Sequence, residues 1–96
     1  MMRHDALIDA LSGTIETTIG GAIVYRNAEG RPHRLTGPAV LHHTGARAWC
    51  VNGELHRTDG PAIEGSDGSC IWYLNNDELT EEEFIRRLSS GDFYEP

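Results

Sequence analysis

The spacing of apolar positions changes twice along the chain. Between His4 and Ser12, Leu7, Ile8 and Leu11 fall on one helical face, and Gly13 stands where such a helix stops. In the middle the period shortens to two. Trp49 and Val51 alternate with Cys50, and Trp72 and Leu74 alternate with Tyr73, the pattern of half-buried strands. Near the C-terminus helical spacing returns with Phe84, Ile85 and Leu88, and Gly91 closes the segment.

The punctuation agrees with these periods. Asn52-Gly53 is a strong hairpin signal, because a type I′ turn needs positive φ at both central residues. Asn75-Asn76 stands in the equivalent place, and Asn tolerates the left-handed region better than most residues. His43-Thr44-Gly45 and Ser66-Asp67-Gly68 read as further turns ending in glycine. Gly37-Pro38 and Gly60-Pro61 suit strand starts, where the missing proline N–H costs little. Thr80 with Glu83 predicts a capping box, and Leu79 with Phe84 a hydrophobic staple, at the start of the last helix.

Beneath this pattern lies an internal repeat. Residues 30–52 align with 53–75 without a gap and share nine of 23 positions: Gly30/Gly53, His33/His56, Arg34/Arg57, Gly37/Gly60, Pro38/Pro61, Ala39/Ala62, Gly45/Gly68, Trp49/Trp72 and Asn52/Asn75. Gly21 to Tyr25 echoes the segments ending at Trp49 and Trp72. The reading is one α+β domain over 1–96. It is divided into an N-terminal helix (1–13), a leading hairpin or partial repeat (14–29), two repeats (30–52 and 53–75) and a C-terminal capping helix (76–96). The architecture expected is a curled antiparallel β-meander of about six or seven strands with a short helix at each end, and Trp49 and Trp72 as core residues, one per repeat.

The stretch Trp49-Cys50-Val51-Asn52-Gly53-Glu54-Leu55-His56-Arg57-Thr58-Asp59-Gly60-Pro61-Ala62 resembles a unit found in small bacteriophage and prophage proteins. Its period is similar to that of the MORN repeat, a β-hairpin unit that stacks into an elongated sheet. The first copy departs from the pattern, with Thr36 in place of the acid and Pro32 before His33. The ending from Trp72 to Phe84 also looks typical of those phage chains. The resemblance implies MORN-like hairpin repeats and an interaction or scaffolding surface; a fold alone does not fix an activity.

Charge then narrows the candidate chemistry. The net charge is −7, and all eight basic residues are arginine. Residues 30–52 carry a local +3, residues 53–75 a local −3, and residues 76–96 a local −5 from seven acids against Arg86 and Arg87. This balance argues against direct nucleic-acid binding, which needs excess cations. No apolar run approaches the ~20 residues of a membrane span, and no secretory pattern opens the chain, so a cytoplasmic location is expected, the host bacterial cytoplasm if phage-encoded.

His42 and His43 are neighbours expected on opposite faces of a strand, which argues against zinc, and Cys50 and Cys70 are expected on opposite sides of the sheet. Phosphate loops, nucleophile motifs and paired carboxylates do not occur, so neither a metal nor another cofactor is expected. The function expected is therefore a non-enzymatic phage-type protein-binding module, an inhibitor of a host antiviral defence complex of the anti-CRISPR kind. It would act through Asp77, Glu78, Glu81 and Glu82 on a basic surface of a host protein. One alternative is a small-molecule or nucleotide binder gripping an anion with His33, Arg34, His56 and Arg57. Another is a small phage structural or assembly component. Against the anion grip stands an architectural role, in which Arg57 pairs with Asp59 in its own loop and His56 donates to a backbone carbonyl.

Overall fold

The computed structural model describes residues 13–95; the helix expected over His4–Ser12 lies outside them. Among the described residues nine short strands precede one helix: β1 (Thr14–Thr17), β2 (Ile23–Arg26), β3 (Val40–Leu41), β4 (Arg47–Ala48), β5 (Cys50–Val51), β6 (Glu54–Leu55), β7 (Ile63–Glu64), β8 (Cys70–Leu74), β9 (Asp77–Leu79) and α1 (Glu81–Ser90). Seven of them form one antiparallel sheet in the order β1-β2-β3-β4-β7-β8-β9, and β5 pairs with β6 in a separate ribbon. The domain is thus α+β with a meander, but the meander is interrupted. The period-two run from Trp49 to Val51 predicts a continuous strand, whereas the chain breaks at Trp49 and diverts β5 and β6 out of the main sheet. In the later stretch the corresponding residues stay joined as β8, which pairs with β9.

Turn chemistry accounts for the strand lengths. Asn52 and Gly53 have φ of 52° and 86°, and Asn75 and Asn76 have φ of 50° and 73°, as the two-residue hairpins Val51–Glu54 and Leu74–Asp77 require. The other hairpins use three-residue loops. The His42 N–H donates to the Ala46 carbonyl (2.8 Å), and the Gly45 N–H returns to His42 O (2.9 Å) with Gly45 at φ 98°. Gly65 to Ser69 repeats that arrangement at 2.8 and 3.0 Å, with Gly68 at φ 89°. His42 and His43 therefore sit at a turn rather than on a strand, and His42 Nδ1 lies 2.9 Å from Thr44 Oγ1.

Among the described residues the clustered apolar core sits at the C-terminal end. Leu74, Leu79 and Phe84 are buried together, with Trp72, Leu88 and Phe93 packed against them. The staple pair is therefore in place, and so is the capping box. The Glu83 N–H donates to Thr80 Oγ1 (3.1 Å), and the Thr80 N–H donates to Glu83 Oε1 (3.0 Å). Gly91 closes α1 at φ 75°. The expected apolar stripe is narrower than its sequence: Phe84 and Leu88 face the sheet four residues apart, while Ile85, a third of a turn away, is 55% exposed.

Candidate functional site

In the middle of the molecule the side chains of the His-Arg…Gly-Pro-Ala motif are engaged in holding the backbone. The Asn52 N–H donates to His33 Nδ1 (2.8 Å), and the Asn75 N–H donates to His56 Nδ1 (3.0 Å). Both imidazoles are buried. The expected direction is reversed at His56, because its ring accepts from a backbone amide instead of donating to a carbonyl. Each bond reaches the first residue of a type I′ hairpin and gives its N–H a partner within the protein. An acceptor Nδ1 places the proton of the neutral ring on Nε2.

The arginines are equally committed. Arg34 lies over the Tyr25 ring, 4.0 Å from its centroid, and donates from Nη1 to Pro38 O (3.2 Å). Arg57 lies over Trp49 at 3.7 Å and donates from Nη1 to Pro61 O (2.9 Å). A planar guanidinium can stack and donate in its own plane at once, which a lysine cannot. The glycine three residues after each arginine makes room: a Cβ on Gly60 would stand 2.9 Å from Arg57 Cζ, and one on Gly37 would stand 3.3 Å from Arg34 Cζ. The alanines are completely buried, and their carbonyls accept from Tyr25 N–H and Trp49 N–H at 2.7 Å each.

Trp49 is consequently a half-buried platform beneath an arginine, not a core residue. Trp72 is half-buried too, but it meets Phe84 at 6.5 Å between ring centroids and packs on the core cluster.

The two arginines differ in one respect. Arg57 is neutralised by Asp59 (2.8 Å) and Glu64 (3.0 Å), and Glu64 also bonds Arg47 across the β4–β7 register (2.6 Å). The residues 23 positions earlier are Thr36 and Leu41, and among the described residues no carboxylate pairs with Arg34. Of the four residues of the anion hypothesis, Arg34, His56 and Arg57 line one open cleft of about 350 Å³, whereas His33 does not. Its walls are loops 34–37 and 56–59, with Trp49 and Val51 between them and Glu95 at the rim. Glu95 escaped sequence reasoning because no local pattern links it to His56, 39 residues earlier.

A second constellation lies at the sheet's outer strand. Asp77 and Glu78 are exposed on β9, and Glu81 and Glu82 are exposed in the first turn of α1. Arg87 reaches Asp77 at 3.5 Å, and Tyr73 donates its hydroxyl to Glu78 at 3.5 Å. Glu83 is separate in role, since the Thr80 backbone N–H holds its carboxyl below the usual range.

Neither thiol lies in the cleft. Burial pushes the Cys50 thiol up, which keeps it protonated, and Cys70 is exposed with its Sγ 3.6 Å from Gly68 O. Among the described residues, no group of three or more His, Cys, Asp or Glu side chains gathers as a metal site would require, and no helix is long and apolar enough to cross a membrane. Comparison with protein families, curated proteins and solved structures returns no match.

Proposed function

We propose that this chain is a non-enzymatic protein-binding module that docks on a basic partner surface through Asp77, Glu78, Glu81 and Glu82. The observation that carries the reading is the uneven neutralisation of charge. In the middle, Glu64 and Asp59 are absorbed by Arg47 and Arg57. At the outer strand and helix start, four exposed acids share the single reach of Arg87 to Asp77. Such a face steers a positively charged partner. The two stretches 30–52 and 53–75 then serve as MORN-like units that hold the face rigidly. The resemblance to phage chains supports a finer version, in which the partner belongs to a host antiviral defence complex that the module inhibits.

Affinity capture from a bacterial lysate, followed by kinetics on the captured protein, tests the reading. Binding should weaken as salt rises, and reversal of Asp77, Glu78, Glu81 and Glu82 to Lys should slow association with the fold intact. An unchanged association rate across all salt concentrations would reduce the acids to a solvated face.

A further inference from the structure

The cleft between loops 34–37 and 56–59 is lined by His56, which has an unpartnered donor, and by Arg34, whose guanidinium bonds Pro38 O but pairs with no carboxylate among the described residues. His56 is 4% exposed, and its Nε2, which carries the ring proton, has no hydrogen-bond partner. A buried donor left without a partner is costly, so an acceptor belongs there. Arg34, on the opposite loop, is the arginine whose neutralising acids are replaced by Thr36 and Leu41. One acceptor already hovers at the rim: Glu95 Oε1 stands 3.7 Å from His56 Nε2, beyond hydrogen-bond reach, on a side chain 68% exposed.

That carboxylate is delivered by the tail. Asn75 clamps Tyr94 by two bonds, donating from Nδ2 to Tyr94 O (2.8 Å) and accepting the Tyr94 N–H at Oδ1 (3.0 Å). The Phe93 ring lies 6.3 Å from the His56 ring. Asn75 is also the residue whose N–H bonds His56 Nδ1, so one asparagine orients the donor and its nearby acid.

We infer that this cleft is a binding site for a monocarboxylate on a short apolar stem. The carboxylate would accept from His56 Nε2–H and the Arg34 guanidinium, and Glu95 would be the tethered competitor at its mouth. The volume, about 350 Å³, lies near the lower bound of ligand pockets. Val51 and Trp49 offer apolar walls to the stem, and Thr36 and Thr58 are among the polar residues of the lining. A phosphate dianion would face Asp59 and Glu95 with two charges instead of one, which favours the carboxylate. The site is independent of the acidic face at β9.

Sodium butyrate is the probe, titrated into the full chain and into Glu95→Gln and Arg34→Gln variants. The His56 imidazole nitrogens and the Trp49 indole N–H are followed by NMR, against matched sodium chloride and sodium phosphate. The expected result is a saturable shift of His56 Nε2 with butyrate and none with chloride. Glu95→Gln should bind about five-fold tighter, the factor for removing a like charge at ~4 Å through water. Arg34→Gln should lose saturation while keeping the Asn75 amide signal in place. If Arg34→Gln unfolds, the comparison of wild type with Glu95→Gln decides alone, since Glu95 is exposed. Butyrate shifts that follow chloride in every variant overturn the site. Equal affinity in wild type and Glu95→Gln overturns the competitor role, and phosphate binding tighter than butyrate overturns the carboxylate assignment.

Discussion

The middle of the molecule and its C-terminal end are built on the same hairpin chemistry but are held together differently. At the end, Leu74, Leu79 and Phe84 exclude water together, and Trp72 is covered by Phe84. In the middle, the buried positions are mostly small or polar, Ala39, Ala62, Cys50, Asn27, His33 and His56, with Val24 and Val51 the larger apolar ones. Tyr25 and Trp49 are covered there by Arg34 and Arg57. A covering arginine is useful where another unit follows, because it also bonds the proline carbonyl of its own loop. At the last position that arginine would fall at Thr80, which instead caps a helix, and Phe84 takes over the ring. Polar, directional contacts fix the spacing between hairpins, and the apolar cluster closes the C-terminal end.

The sharpest way to break this comparison is at the apolar end. Phe84→Ala removes a nearly buried ring from a core with little else in it, and should cost ~3–5 kcal/mol by thermal or denaturant unfolding. In the middle, His56→Ala leaves the Asn75 N–H without its acceptor and should cost ~1–3 kcal/mol. Hydrogen exchange at the Asn75 amide should accelerate in that variant more than at Leu74. A smaller loss is expected for Arg57→Lys, ~0.5–2 kcal/mol, because an ammonium keeps the charge but cannot stack on Trp49 and bond Pro61 O together. Trp49 emission should shift to the red as its cover is lost.

The smallest effect belongs to the helix cap and depends on pH. The Glu83 carboxyl is held below its ordinary range chiefly by the Thr80 N–H, so its folded-state pKa is depressed. Its contribution is complete above the ordinary glutamate value of ~4.3 and is lost as pH falls through the lower folded value. Glu83→Gln retains an oxygen for the Thr80 N–H but does not titrate, so its stability should vary less over that acid range than that of the wild type.

The same comparison explains what could be read in the chain. Hairpins at Asn52-Gly53 and Asn75-Asn76 were legible because positive φ restricts the residues that can stand there, and the Thr80–Glu83 box because both partners lie within one turn. The break at Trp49 was not, since period two continues through Cys50 and Val51 whether or not the strand does. The tryptophans read as core because their arginine cover comes from eight residues downstream at Trp49 and not at all at Trp72. Likewise, the direction of the His56 bond depends on an amide 19 residues away. His56, Arg34 and Arg57 were visible as a polar group, but their division between backbone support and a cleft with a spare donor is a tertiary fact. The acids at 77, 78, 81 and 82 were legible as charge, and their exposure together follows from β9 leading directly into α1.

The central claim is that the repeated histidines hold the hairpins through Nδ1. It is tested most directly by NMR on uniformly ¹⁵N-labelled protein, looking for scalar coupling across the Asn52 N–H···His33 Nδ1 and Asn75 N–H···His56 Nδ1 bonds. Both couplings should be present at neutral pH, with both amide protons protected from exchange and the His56 ring protonated at Nε2. Absence of both couplings, with Asn52 and Asn75 exchanging as exposed loop amides do, would contradict the account.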